Sequence, residues 1–149
     1  MIVYIGADHR GFELKKKIMV YLAKRNYPVE DIGNKIYDKK DDYPKFATMA
    51  ALKVIGSDDK DPRAILVCGG GQGMAMAANR FNGIRAAVVD SVDGAKWARN
   101  DNDANVLSLS AELYDDDDDW QKIVDTFLKT KASKAKRHER RREQLDDLS

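Results

Sequence analysis

The chain has a single cysteine, Cys68, among 149 residues, and one thiol cannot form an intrachain disulfide. A lone thiol belongs with a reducing compartment, so a cytoplasmic location is expected. No apolar run approaches the roughly 20 residues that span a bilayer, and no membrane partner is expected. The first residues enter a strand pattern at once, without a basic and apolar leader, so no signal peptide is expected. An excess of charge is missing too. Lys and Arg number 26 against 25 Asp and Glu, a formal net charge of +1, which argues against bulk affinity for nucleic acid. There is no internal repeat. What remains is 43% apolar and 34% charged, the balance of a globular chain rather than a disordered one. Its length suits one domain with a real core.

Strands and helices alternate along the chain. Residues 2–6 form a short apolar strand. Leu14, Ile18, Tyr21 and Leu22 recur at helical spacing within 11–25. Residues 29–32 make a second strand, and Tyr43-Pro44 opens a helix running to about residue 55. A third strand at 64–67 leads into a glycine-rich loop and a helical stretch at 74–79. A fourth strand at 84–89, a helix at 92–100 and a fifth strand at 106–109 follow. Trp120, Ile123, Val124, Phe127 and Leu128 mark another helix. Such alternation needs crossover connections, hence a parallel sheet covered on both faces. The expected fold is α/β: a single-domain, Rossmann-like three-layer sandwich over 1–149. It has a five-stranded parallel sheet and a basic C-terminal helix at about 133–147. Ligands of such sheets bind beyond the carboxyl ends of the strands. Asp8-His9, Cys68 with its glycines, and Asp90 should therefore lie along one edge.

The stretch Cys68-Gly69-Gly70-Gly71-Gln72-Gly73 carries the chemistry. A strand, a glycine loop and a helix aim backbone N–H groups and a helix dipole at one spot. That spot suits a phosphate, a carboxylate or a forming oxyanion, and a thiol beside it is placed to attack or to move a proton. A Walker loop needs Gly-Lys-Ser/Thr, which Gly73-Met74-Ala75 does not supply. A dinucleotide fingerprint finds Gly69 and Gly71 but meets Met74 at its third glycine. Asp90 stands about where the ribose-binding acid belongs. However, that loop follows the third strand, and one short domain has no room for a second mononucleotide half. The third reading is an oxyanion cradle beside a cysteine acid/base.

Each residue also has a bland reading. Cys68 by itself would be a small core residue, and His9 a loop hydrogen-bonder. Asp101 could cap a turn with Asn100, Asn102 and Asp103. Tyr43 could simply pack, Trp97 and Trp120 read as core or interface aromatics, and Met74 and Met76 as helix packing. The acidic run at 115–119 reads as a solvated helix start, since consecutive Asp residues lack the interleaved spacing of a calcium loop. The basic tail at 129–142 reads as an exposed helix end or as anion capture by selected arginines. It lacks the interleaved aromatics that would stack on RNA.

Several motifs in order resemble the type B ribose-5-phosphate isomerases and their galactose-6-phosphate isomerase relatives. They are Gly6-Ala7-Asp8-His9-Arg10-Gly11-Phe12-Glu13-Leu14-Lys15, Asp42-Tyr43-Pro44, and Cys68-Gly69 through Gly71-Gln72-Gly73-Met74 with Ala77-Ala78-Asn79. Gly83-Ile84-Arg85-Ala86, Asn102-Asp103-Ala104-Asn105-Val106-Leu107 and Arg137-His138 with Arg141 follow. The resemblance runs almost end to end. It implies an aldose–ketose isomerase that works through a cis-enediolate, without metal or organic cofactor, on ribose 5-phosphate and ribulose 5-phosphate. Cys68 corresponds to the base, and Asp8 shuttles protons between sugar oxygens. The N–H groups of Gly69, Gly70, Gly71, Gln72 and Gly73 hold the enediolate oxygen. His9 binds the ring form or the phosphate end, Tyr43 walls the pocket, and Asn102 bonds a sugar oxygen. Arg137 and Arg141, four apart on a helix and so facing one way, hold the phosphate. The family shares each pocket between two subunits, which implies a homodimer, or a tetramer built from it.

Three positions depart from the family's pattern. Asp101 stands where a histidine assists ring opening, Gly70 where a threonine donates a hydroxyl, and Glu112 where many members carry a phosphate-binding arginine. A different sugar or hexose phosphate, of the allose or galactose type, and a catalytically weakened sugar-phosphate or nucleotide-binding module stay open as alternatives.

Overall fold

The computed structural model describes residues 1–114 and 118–148. Five strands, β1 (Val3–Ala7), β2 (Val29–Asp31), β3 (Arg63–Cys68), β4 (Ala86–Val88) and β5 (Val106–Ser110), form one sheet in the order β2-β1-β3-β5-β4. All four pairings are parallel. The central strands β1, β3 and β5 are buried throughout, while β2 and β4 at the edges are not. Strands covered on both faces read as continuous apolar runs, and Ala64-Ile65-Leu66-Val67 is such a run.

The helices are α1 (Phe12–Ala23), α2 (Tyr43–Ile55), α3 (Gln72–Ala78), α4 (Val92–Asn100), α5 (Trp120–Lys129) and α6 (Lys136–Asp146). Side chains of α1, α4 and α5 pack on one face of the sheet with Ile5, Ile65, Val67 and Leu107. Those of α2 and α3 pack on the other with Tyr4, Leu66 and Val106. The result is the expected α/β three-layer sandwich. Pro44 sits in the first turn of α2, where its missing N–H costs nothing. Asn26, left-handed at φ 61°, stops α1. The fourth strand is shorter than its apolar pattern. The Arg85 N–H is taken by the Asn105 side chain and the Ile84 N–H by Phe81, so the ladder begins only at Ala86.

Trp120 is a core residue, packed edge-on against Tyr21. Trp97 and Met76 are not: both are exposed. Met74 and Met76 lie two residues apart, more than half a helical turn, so α3 turns one inward and the other to solvent. The expected packing pair is thus a single core methionine. Of the acidic run, residues 115–117 lie outside the described residues, while Asp118 and Asp119 lead into α5 and Asp119 stands 3.6 Å from Lys122. Among the described residues no helix is long and apolar enough to cross a membrane.

Candidate active site

The central strands end side by side. Ala7 pairs with Val67, and Cys68 with Ser110. Beyond Ala7 the chain bends into a 3-10 turn, His9–Gly11, that lies on the end of β3. A Cβ on Gly11 would sit 2.6 Å from the Val67 carbonyl carbon, so only glycine permits this approach. Asp8 caps the turn. Its Oδ1 accepts the N–H groups of Arg10 at 3.0 Å and Gly11 at 3.1 Å, and its own N–H donates to the Val67 carbonyl at 3.3 Å. Burial pushes the Asp8 carboxyl above the usual carboxylate range, and the Gly11 amide offsets part of that.

On the neighbouring strand, Cys68 Sγ accepts the backbone N–H of Gly71 at 3.2 Å. Gly71 makes this possible by taking a left-handed conformation, φ 83°, where a Cβ would come 3.2 Å from the Leu109 carbonyl carbon. The loop is tied down from behind. Ser108 Oγ donates to the Gly71 carbonyl at 2.6 Å, Ser110 Oγ to the Gly69 carbonyl at 2.7 Å, and the Glu112 N–H to the same carbonyl at 3.2 Å. With its carbonyls engaged on β5, the loop offers N–H groups. Those of Gln72 and Gly73 open α3, where no helix can satisfy them internally. The arrangement is a donor cradle around a sulfur.

Side chains crowd its rim. The Arg10 guanidinium lies over Gly69 and pairs with Glu112. The carboxamide of Gln72 folds over Gly70, and the Tyr43 ring covers Gly73, 2.6 Å from where a Cβ would be. His9 is next to Asp8, its Nδ1 2.8 Å from Asp41 Oδ1. That hydrogen bond holds the imidazole above its ordinary pKa, against the loss of solvation. Asp8, His9, Tyr43, Cys68 and residues 69–73 thus come together.

Asp101, Asn102, Arg137 and Arg141 do not join them in one chain. Asp101 and Asn102 follow α4 and precede β5, so they lie near the amino ends of the strands. Five residues of strand at ~3.3 Å each put roughly 15 Å between the two ends. Helix α6 belongs to this second group. Arg142 donates to the Asp101 carbonyl at 3.3 Å, and Arg85 bonds Asp146 at 2.9 Å. His138, buried, lies 3.8 Å from Asp101. Asp101 is half-exposed and accepts Asn100 Nδ2 at 2.7 Å, a bond between neighbouring side chains rather than a cap on the backbone of the turn. Arg137 and Arg141 are both exposed on α6. A cavity of about 680 Å³ opens here, lined by Asn102, Arg80, Phe81, Arg85 and Leu145 among others.

Two kinds of residue escape the sequence reading. Ser108 and Ser110, which anchor the loop, were legible as alternating polar residues on an otherwise apolar central strand. Asp41, which holds His9, and Asn34, which holds Asp41, carry no local signal, because their loop has no periodicity. Among the described residues no three of His, Cys, Asp and Glu converge as metal ligands.

Comparison with known proteins gives the chain's family and fold. A family model described as Ribose/Galactose Isomerase matches residues 3–145. A probable ribose-5-phosphate isomerase B of Mycoplasma genitalium is 44% identical over 93% of this chain and 90% of its own length. A ribose-5-phosphate isomerase B structure from Clostridium thermocellum superposes with a TM-score of 0.91 at 37% identity, covering 99% of this chain and 97% of that one. The Mycoplasma genitalium enzyme, solved with bound ribulose-5-phosphate, gives 0.88 at 41% identity over 97% and 93% of the two chains.

Proposed function

Because the chain belongs to the ribose/galactose isomerase family, we propose that it interconverts ribose 5-phosphate and ribulose 5-phosphate, with Cys68 as the base. The chain is a sugar-phosphate isomerase of the aldose–ketose type. The finer reading rests on one observation: the Cys68 sulfur, held by the Gly71 N–H, lies one strand away from the capped carboxylate of Asp8.

The Cys68 thiolate takes the proton from the carbon beside the sugar's carbonyl. The freed electron pair becomes the carbon–carbon double bond of a cis-enediolate, and the carbonyl oxygen takes the negative charge. Loop N–H groups hold that oxygen, each worth about 2–4 kcal/mol in such a site. Asp8, whose carboxyl burial pushes above the usual carboxylate range, moves a proton between the two sugar oxygens, and Cys68 returns its proton to the adjacent carbon. No redox partner is needed.

Asn102, Asp101, Arg137 and Arg141 serve this reaction from a second copy of the chain, since one copy holds the two groups at opposite ends of its sheet. The whole of 1–149 acts as one isomerase domain, in the cytoplasm, as a homodimer or a tetramer built from two such dimers.

The test is a panel of pentose and hexose substrates, with and without phosphate, assayed for isomerisation. The highest kcat/KM is expected on ribose 5-phosphate. A preference for a hexose phosphate would transfer the reading to the allose or galactose type. Binding without exchange of the C2 proton in heavy water would leave a binding module.

A further inference from the structure

A carboxylate from the loop after β2 holds His9 twice. Asp41 Oδ1 accepts the His9 backbone N–H at 2.8 Å and lies 2.8 Å from the ring Nδ1. The other oxygen of Asp41 accepts Asn34 Nδ2 at 3.0 Å. The Asp41 side chain is only 7% exposed, although its loop is polar. A carboxylate withdrawn from water needs such partners, and two of the three belong to one residue, so backbone and ring of His9 are fixed together. An ionised carboxylate only accepts, so Nδ1 carries the hydrogen in this bond. Nε2 is then the free position of the ring. It has no hydrogen-bond partner among the described residues, and the side chain is 28% exposed. Tyr37, its centroid 6.4 Å away, closes one side edge-on and itself rests on Phe12.

We propose that Asp41 is a positioning residue for the isomerisation: it clamps the His9 ring with Nδ1 protonated and presents Nε2 to the sugar phosphate as a hydrogen-bond donor. The proposal rests on the reading of His9 as a substrate-binding residue. Asp41 touches no reacting atom and acts through His9 alone. The orienting partner of an imidazole decides which nitrogen faces the substrate.

The charged and titratable groups around His9 are Asp8 at the end of β1, Asp41 and Tyr37 from the loop after β2, and Arg10 next along the turn. Asp41 and Asp8 favour the imidazolium, while loss of solvation opposes it. The cation therefore persists to higher pH than in a free histidine, and the Nε2 donor is lost as pH rises through the raised pKa.

Asp41→Asn tests the assignment, because an amide oxygen still accepts the His9 N–H while the charge is gone. The chain has two histidines, so imidazole NMR, with His9→Ala for assignment, reads His9 directly. The expected result is a His9 midpoint lowered by roughly 1 pH unit. The alkaline limb of kcat/KM should move down with it, and kcat/KM at neutral pH should fall roughly 10-fold. An unmoved His9 titration overturns the proposal, as does a moved titration with an unmoved rate profile, or full turnover in His9→Ala. A chain that turns over no sugar phosphate fails the isomerase reading instead. The Asp41 assignment is then decided by ribulose 5-phosphate itself. Shifts of the His9 resonances that are present in the unaltered chain and lost in Asp41→Asn support it, and any other pattern overturns it.

Discussion

Cys68 Sγ accepts the N–H of Gly71 at 3.2 Å, so the sulfur sits inside the same ring of amides that would receive a sugar oxygen. Removing it should separate chemistry from folding. In Cys68→Ala, kcat on the preferred sugar phosphate should fall roughly 10²–10⁴-fold, the worth of a positioned acid–base group. Unfolding free energy should change by only about 1 kcal/mol. A coupled isomerase assay and a thermal melt measure the two, and full turnover in the variant would move the base to another group.

The strand–loop–helix unit around Cys68 was readable because its residues act locally. An apolar run, a glycine cluster and an Ala/Met stretch each specify their own conformation, and parallel topology then fixes which strand ends are neighbours. The place of Asp8 at the end of the first strand was readable for the same reason, while its capping of the turn was not. The Asp41–His9 bond was not, since it joins residues 32 apart through a loop with no periodicity. Nor could spacing alone show that Asp101 and Asn102 lie at the far end of the sheet from Cys68. That follows from β3 and β5 running parallel, with one residue group before β5 and the other after β3.

Asp8 is maintained at a cost in stability. Its carboxyl is raised by burial, so the folded chain favours the neutral form. The contribution is fully present below the unfolded value near 3.8 and is lost as pH rises through the higher folded value. Asp8→Asn keeps an oxygen for the Arg10 and Gly11 amides without the charge. Its melting temperature at neutral pH should rise, by about 2–4 °C for each kcal/mol recovered, and the gain should vanish in acid. Turnover should fall at the same time. A variant no more stable at neutral pH than the parent contradicts the assignment of burial as the dominant effect.

Gly70 leaves room that Gln72 takes. The Gln72 carboxamide occupies the position where a side chain at residue 70 would project, and its far end is free to swing away. Gly70→Thr should therefore fold with little penalty and supply a hydroxyl at the cradle. If loop donors limit the rate, kcat should rise, by up to about 10²-fold for one added donor. Gln72→Ala in the natural background should lower kcat if the carboxamide now serves in that role. Unchanged kcat in both variants would remove side-chain donors at residues 70 and 72 from the mechanism.

The composite site makes a prediction that no single-chain site shares. Cys68→Ala spoils the half at the carboxyl ends of the strands, and Asn102→Ala spoils the half at the amino ends. Each variant alone should be nearly inactive. Co-refolded in equal amounts, they form a mixed dimer in which one pocket combines the two altered residues and the other combines the intact Cys68 of one chain with the intact Asn102 of its partner. One pocket in each mixed dimer is then whole. With statistical pairing, half the dimers are mixed, so activity should recover to about one quarter of the parent value, as expected for an isologous interface. A site built within one chain gives no such recovery, because every pocket keeps one defect. Activity of the mixture against the separate variants, with dimer exchange followed by native mass spectrometry, decides between them. Exchange without recovery would return Asn102 to a structural role and confine the chemistry to Asp8, His9, Cys68 and the loop that follows it.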